Sequence, residues 1–215
     1  MVSPIRILGP DGMPLRVGDL SEPQTSRFVH LQNEFQRHPS RGLTPRRVAS
    51  ILDAAEQGDL VAQFELFEDM EEKDGHIASE MGKRRRALLL DWELVPPTNP
   101  SAQEKRDTEA LAELMMEIPD FEDVVFDLTD AIGKGFACQE IHWHRVERRW
   151  LPKSLTHRPQ TWFQLHRGYR QELRLRSNTV TDGIPGEALR PLQWITHVHK
   201  AKSGYLERTA LFRQL

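Results

Sequence analysis

The dominant hydrophobic period of this chain changes at Gly133 and Gly135, and that change limits the folds open to it. Before the two glycines, apolar residues recur three and four positions apart, the spacing of helix faces. After them they recur at every second position, the spacing of strands. Helices followed by strands, rather than the two in alternation, predict an α+β fold. The expected architecture is a helical N-terminal half packed on a small mixed or antiparallel sheet.

The helical half carries its own punctuation. Thr44-Pro45 pairs a capping side chain with proline at the first helical position, and Val48, Ile51, Leu52 and Ala55 follow on one face up to Gly58. Leu60, Phe64 and Phe67 mark the apolar face of the next helix, with Glu65, Glu68, Asp69, Glu71 and Glu72 on its other faces. Asp74-Gly75 predicts a break and a restart. The helix that follows is expected to bury Ile77, Ala78, Met81, Leu88 and Leu89, and 92–95 reads as a short strand stopped by Pro96-Pro97. Ser101 and Glu104 have capping-box spacing ahead of the stripe Ala110, Leu111, Leu114, Met115 and Ile118. After Pro119, Asp120 is placed to cap a last helix carrying Phe121, Val124, Val125, Leu128 and Ile132. Phe64, Phe67, Leu88, Trp92, Leu111, Leu114, Val125 and Leu128 are the expected core of this half.

Beyond Phe136 the spacing predicts a strand with Ala137, Ile141 and Trp143 on one face, and a hairpin turn at 146–149. Further strands are expected near 161–165, 172–176 and 194–199, with a turn at 181–183. The stretch 204–215 reads as a helix barely begun. Residues 1–42 hold five prolines and little periodicity, and read as an extended arm suited to lie across a neighbour. Three regions result: the arm 1–42, a helical part 43–133 and a strand-rich part 134–215.

A net charge of −3 hides a strong asymmetry. Residues 1–100 carry −4, residues 101–133 carry −8 and residues 134–215 carry +9, so identical copies have something to attract them to one another. The longest apolar run is Ala87 to Leu90, too short to span a bilayer, so no membrane partner is expected. The N-terminus lacks the apolar stretch of a signal peptide. Cys138 is the single cysteine, which excludes an internal disulfide framework and suits a reducing compartment.

Several residues invite a chemical reading. His142 and His144, and His197 and His199, are spaced to share strand faces and would be the ligands of a metal-dependent hydrolase. Neither pair has a carboxylate or thiolate at ligand spacing, and the expectation is that they form no common metal site. Lys83, Arg84, Arg85 and Arg86 are candidate phosphate or subunit contacts. Four consecutive helical residues sweep roughly 300° of the circumference, so a solvated or structural role weighs more heavily. The basic strand half, with Trp143, Trp150, Trp162 and Trp194 among arginines, also suits a nucleic-acid-binding module. Packing is the default for such tryptophans, and Cys138 has no paired base to activate it. There is no P-loop, dinucleotide fingerprint, nucleophile elbow or HExxH. No cofactor and no catalytic residue is expected.

The stretch around the acidic and basic helices resembles the start of portal (head–tail connector) proteins of Mu-like phages and prophages. Gln57-Gly58-Asp59-Leu60, Phe67-Glu68-Asp69-Met70-Glu71-Glu72-Lys73-Asp74, His76-Ile77 and Trp92-Glu93-Leu94-Val95-Pro96-Pro97 carry the likeness. So do Glu140-Ile141-His142-Trp143, Trp150-Leu151-Pro152, Arg158-Pro159 with Trp162-Phe163, Leu173-Arg174-Leu175 and Trp194-Ile195-Thr196-His197, in the same order. One departure is Thr209-Ala210, where the family pattern places a glycine before the final Leu-x-Arg. The resemblance covers about 43–215 and implies a portal wing that ends before the stem, clip and crown. It implies a structural subunit, not an enzyme, in a ring of usually twelve identical copies at one capsid vertex. Double-stranded DNA would pass through that ring, and terminase and head-completion or tail proteins would dock on it. The location implied is the virion, with the host cytoplasm during assembly.

Overall fold

The computed structural model describes residues 21–27, 40–89, 92–146, 149–181 and 184–215. The expected turns at 146–149 and 181–183 therefore fall partly outside the described residues, as do most of 1–42. Six helices are present among the described residues: α1 Pro45–Glu56, α2 Val61–Lys73, α3 Gly75–Arg86, α4 Ala102–Met116, α5 Phe121–Leu128 and α6 Ala131–Lys134. The strands are β1 Phe136–Val146, β2 Arg149–Arg158, β3 Phe163–Leu165, β4 Leu173–Thr181, β5 Ile184–Ala188 and β6 Trp194–Val198. They form two three-stranded antiparallel sheets, in the orders β2-β1-β6 and β3-β4-β5. The α+β expectation holds, with the strand half divided over two small sheets.

The local signals act as their chemistry requires. The Thr44 hydroxyl accepts from the Arg47 amide at the start of α1. Asp74 accepts from His76 and Ile77 where α2 gives way to α3. Ser101 and Glu104 close a reciprocal capping box on α4. Asp120 occupies the N-cap position of α5 without a side-chain cap bond. Gly58 has φ +100°, and a Cβ there would stand 2.7 Å from the Leu165 carbonyl oxygen, so only glycine lets the α1–α2 turn approach β3.

Several expectations are corrected. Residues 92–95 form no regular element and pair with no strand; Pro96-Pro97 follow directly and lack the amide donors a ladder needs. The helix expected across 121–132 is broken at Thr129-Asp130, which separates α5 from α6. The C-terminal stretch forms two short 3₁₀ turns, 206–208 and 211–214, with Leu206 and Phe212 inserted into the core. Ala210 has φ −62°, a value open to any residue, so the position does not require glycine. Last, β5 is a strand that the spacing did not suggest; Pro185 and Gly186 interrupt any alternation.

The core is an aromatic run. Phe212, Phe67, Phe64, Phe136, Phe163 and Trp194 touch in succession, edge to face, with ring centroids 5.4 to 5.9 Å apart. It joins the C-terminal turn, α2, β1, β3 and β6, so helices and both sheets share one interior. Phe64 and Phe67 are buried as expected. Leu88, Trp92, Leu111 and Leu114 are not, being 56%, 39%, 50% and 36% exposed. Val125 and Leu128 are half-buried.

Candidate assembly surfaces

The basic run at the end of α3 is divided by helix geometry. Arg85 turns inward: its guanidinium lies 3.0 Å from Glu71 and 2.7 Å from Asp130, and stacks over the Phe126 ring. Asp130 is shared further, with Lys134 at 3.0 Å and the Gln160 amide at 2.8 Å, while Lys134 reaches Glu68 at 3.4 Å. This network fastens α2, α3 and α6 to the turn before β3. Lys83 is exposed and pairs with Glu80 at 2.6 Å. Arg84 and Arg86 are exposed and make no ion pair among the described residues. The four residues therefore present no common face, and Arg85 is already committed to two carboxylates.

The histidine pairs lie apart. His197 stands opposite Ala137 in the β1–β6 register, five residues along β1 from His142. At ~3.3 Å per residue that is about 16 Å of strand. A bulge between His142 and Trp143 also disturbs the period that would align His142 with His144. Burial holds the imidazoles of His142, His157 and His197 below their ordinary values. Among the described residues no three His, Cys, Asp or Glu side chains gather as a metal site would require. Cys138 is fully buried, and burial pushes its thiol up to about 12. It packs as a core residue.

Two further polar clusters escaped the sequence reading. Gln24, almost fully buried, accepts from the Arg190 amide and the Trp194 indole and donates to Glu187 and the Ala188 carbonyl. Beside it the Thr25 amide and hydroxyl donate to the buried Glu140, which Arg158 also holds at 2.7 Å. Residues 21–27 of the expected arm are thus docked on the chain's own strands. At the other end, Glu56 receives Arg208 at 2.6 Å and Arg213 at 2.5 Å, and Arg170 pairs with the buried Glu207. The hydrogen bond and charge of Arg208 hold the Glu56 carboxyl below the usual carboxylate range, against a smaller opposing effect of burial. Burying these groups needs partners from distant segments, and no short spacing reveals such partners.

What remains at the surface is distinctive. α4 buries no residue at all. Met115 and Met116 at its end, with Leu88, Trp92, Phe121 and Val125, line an open groove of about 480 Å³. Two relatives and one family model give these surfaces their context. The family described as "Portal protein of Mu bacteriophage" matches residues 64–215, well over half of the chain. The chain belongs to this portal family. It is 46% identical over 98% of its length to Mu-like prophage FluMu protein gp29 of Haemophilus influenzae. It is 39% identical, again over 98% of its length, to the portal protein of Escherichia phage Mu. In each case the chain spans 40% of the relative's length.

Proposed function

We propose that this chain forms the wing of a portal subunit, a mechanical part of a ring of identical copies at one capsid vertex. In this reading 1–42 is an arm, 43–133 the helical part of the wing and 134–215 its strand-rich part. The ring surrounds the channel through which double-stranded DNA is packaged and ejected, and terminase and head-completion or tail proteins dock on it. Assembly takes place in the host cytoplasm and the product resides in the virion. No bond is made or broken by the wing itself; its interior ion networks, including Arg85, keep its shape under load. Lys83, Arg84 and Arg86 remain candidate contacts for a neighbouring subunit or for phosphate.

The observation that carries this reading is the match to the Mu portal family over 64–215, with 39% identity to the Mu portal protein over nearly the whole chain. The test is a chimaera in which this chain replaces the matching part of the Mu portal protein. Heads that protect a full-length genome from nuclease are expected. A chimaera that folds and accumulates but leaves every head empty would contradict the proposal.

A further inference from the structure

The pocket that holds Gln24 is built like a receptor for a short peptide. Gln24 is 1% exposed, and its side-chain amide is matched at both ends. Its oxygen accepts from the Arg190 amide at 3.0 Å and the Trp194 indole at 2.8 Å. Its nitrogen donates to Glu187 at 2.8 Å and to the Ala188 carbonyl at 3.0 Å. Thr25 then meets Glu140 twice, by its amide at 3.0 Å and its hydroxyl at 2.6 Å, one bond to each carboxylate oxygen. Gln193 donates to the Glu22 carbonyl at 3.3 Å. A side-chain amide has two donors and two acceptor lone pairs, so Gln24 is saturated. Alanine in its place would leave four groups short of a partner, and glutamate would set a second carboxylate against Glu187. The pocket therefore reads a glutamine followed by a hydroxyl residue.

The seat does not depend on its occupant. Arg158 holds Glu140 at 2.7 Å and Arg190 holds Glu187 at 3.4 Å, so neither carboxylate is stranded when the segment leaves. The strands that form the seat are paired by other strands, β1 by β2 and β6, and β5 by β4. The bonds to Glu22, Gln24 and Thr25 span 115 to 171 positions of sequence, so the segment arrives as a separate piece. We infer that this pocket recognises residues 22–25 as a separable ligand and takes them from a neighbouring copy as well as from its own chain. Every copy carries the same Glu22-Pro23-Gln24-Thr25, so exchange conserves each bond. Twelve residues, 28–39, join the segment to Ser40, and a chain of that length reaches at most ~40 Å, more than the ~30 Å diameter of a small domain. The neighbouring copy as a source rests on the ring reading above; recognition of the segment does not.

The whole chain carrying Gln24→Ala and Thr25→Ala, isotope-labelled for NMR, tests both statements, with the Trp194 indole resonance as the readout. That resonance should leave its native position in the double variant and return, saturably, when a synthetic peptide of residues 21–27 is added. A peptide with alanine at positions 24 and 25 should leave it unmoved. Native chain, whose own segment competes for the seat, should bind the peptide roughly tenfold more weakly. Unlabelled native chain should also move the resonance of the labelled double variant toward the native position, and unlabelled double variant should not. A folded double variant that ignores the peptide would overturn recognition of a separable ligand, and so would a double variant that fails to fold. Peptide binding without any response to native chain would overturn exchange between copies and leave the ring reading intact. A chain that shows both responses yet forms no ring would remove the ring reading alone.

Discussion

Asp130 shows how much of this molecule depends on residues that look ordinary in sequence. Its carboxylate meets Arg85, Lys134 and Gln160 at once, each from a different element. Removing one partner of a buried ion pair leaves the other charge stranded, at a cost of ~3–5 kcal/mol. Arg85→Ala is therefore expected to lower the denaturation midpoint strongly, while Arg84→Ala and Arg86→Ala shift stability by less than about 0.5 kcal/mol. Urea unfolding of the three variants separates one structural arginine from two solvated ones. Phe67→Ala, which opens the aromatic run at its middle, is expected to cost ~3–5 kcal/mol by the same measurement. His157 is one of three histidines, with His142 and His197, that supply a pH dependence. Burial lowers its pKa, opposed by Asp130 and Asp127 and assisted by Lys134 and Arg85, so the folded state resists protonation. The unfolded chain then binds the extra proton first as pH falls through ~6.5, and stability is lost on that acid side. Thermal unfolding should show the melting temperature falling from pH 7.5 to 5.5, and His157→Gln should flatten that fall.

At the scale of elements, the parts legible in sequence were those written in local chemistry. The caps at Thr44, Asp74 and Ser101 and the helix-to-strand change at Gly135 need only neighbouring residues to operate. The α4 stripe has the amphipathic spacing of a packed helix, yet none of its residues is buried. A stripe states that a face needs a partner, and Leu111 and Leu114 find none among the described residues of their own chain. The break between α5 and α6 is hidden because Thr129 and Asp130 are tolerable in a helix; in the turn the Thr129 hydroxyl donates to the Phe126 carbonyl, and Asp130 holds the distant Arg85 and Gln160. Gln24, Gln63, Gln139, Gln160 and Gln193 are fully buried polar residues that no hydrophobic pattern marks. Hydrogen exchange follows from the same contrast. Amides of α4 are expected to exchange fast in the monomer and those of α2 slowly, since α2 carries Phe64 and Phe67 into the core. Slow exchange along α4 in dilute monomer would place a hidden partner on its face.

For the whole molecule, one interior joins the helices to both sheets, and the surface keeps the charge asymmetry apparent in the sequence. Most of the −8 of 101–133 stays exposed on α4 and the start of α5, Asp130 being spent on Arg85 and Lys134, and Arg145, Arg149 and Lys153 keep part of the +9 of 134–215 at the surface. Arg158, Arg170 and Arg213 of the strand half are spent on carboxylates of the chain itself, while Arg167, Lys200 and Lys202 stay exposed. Salt screens such exposed charge, with a Debye length of ~10 Å at 0.1 M. Sedimentation velocity of the purified chain, across protein concentration and from low to high salt, addresses the assembly reading most directly. The expected result is a concentration-dependent distribution of monomer and small oligomers that shifts to lighter species as salt rises. A single monomer species, unchanged at every concentration and every salt, would contradict it.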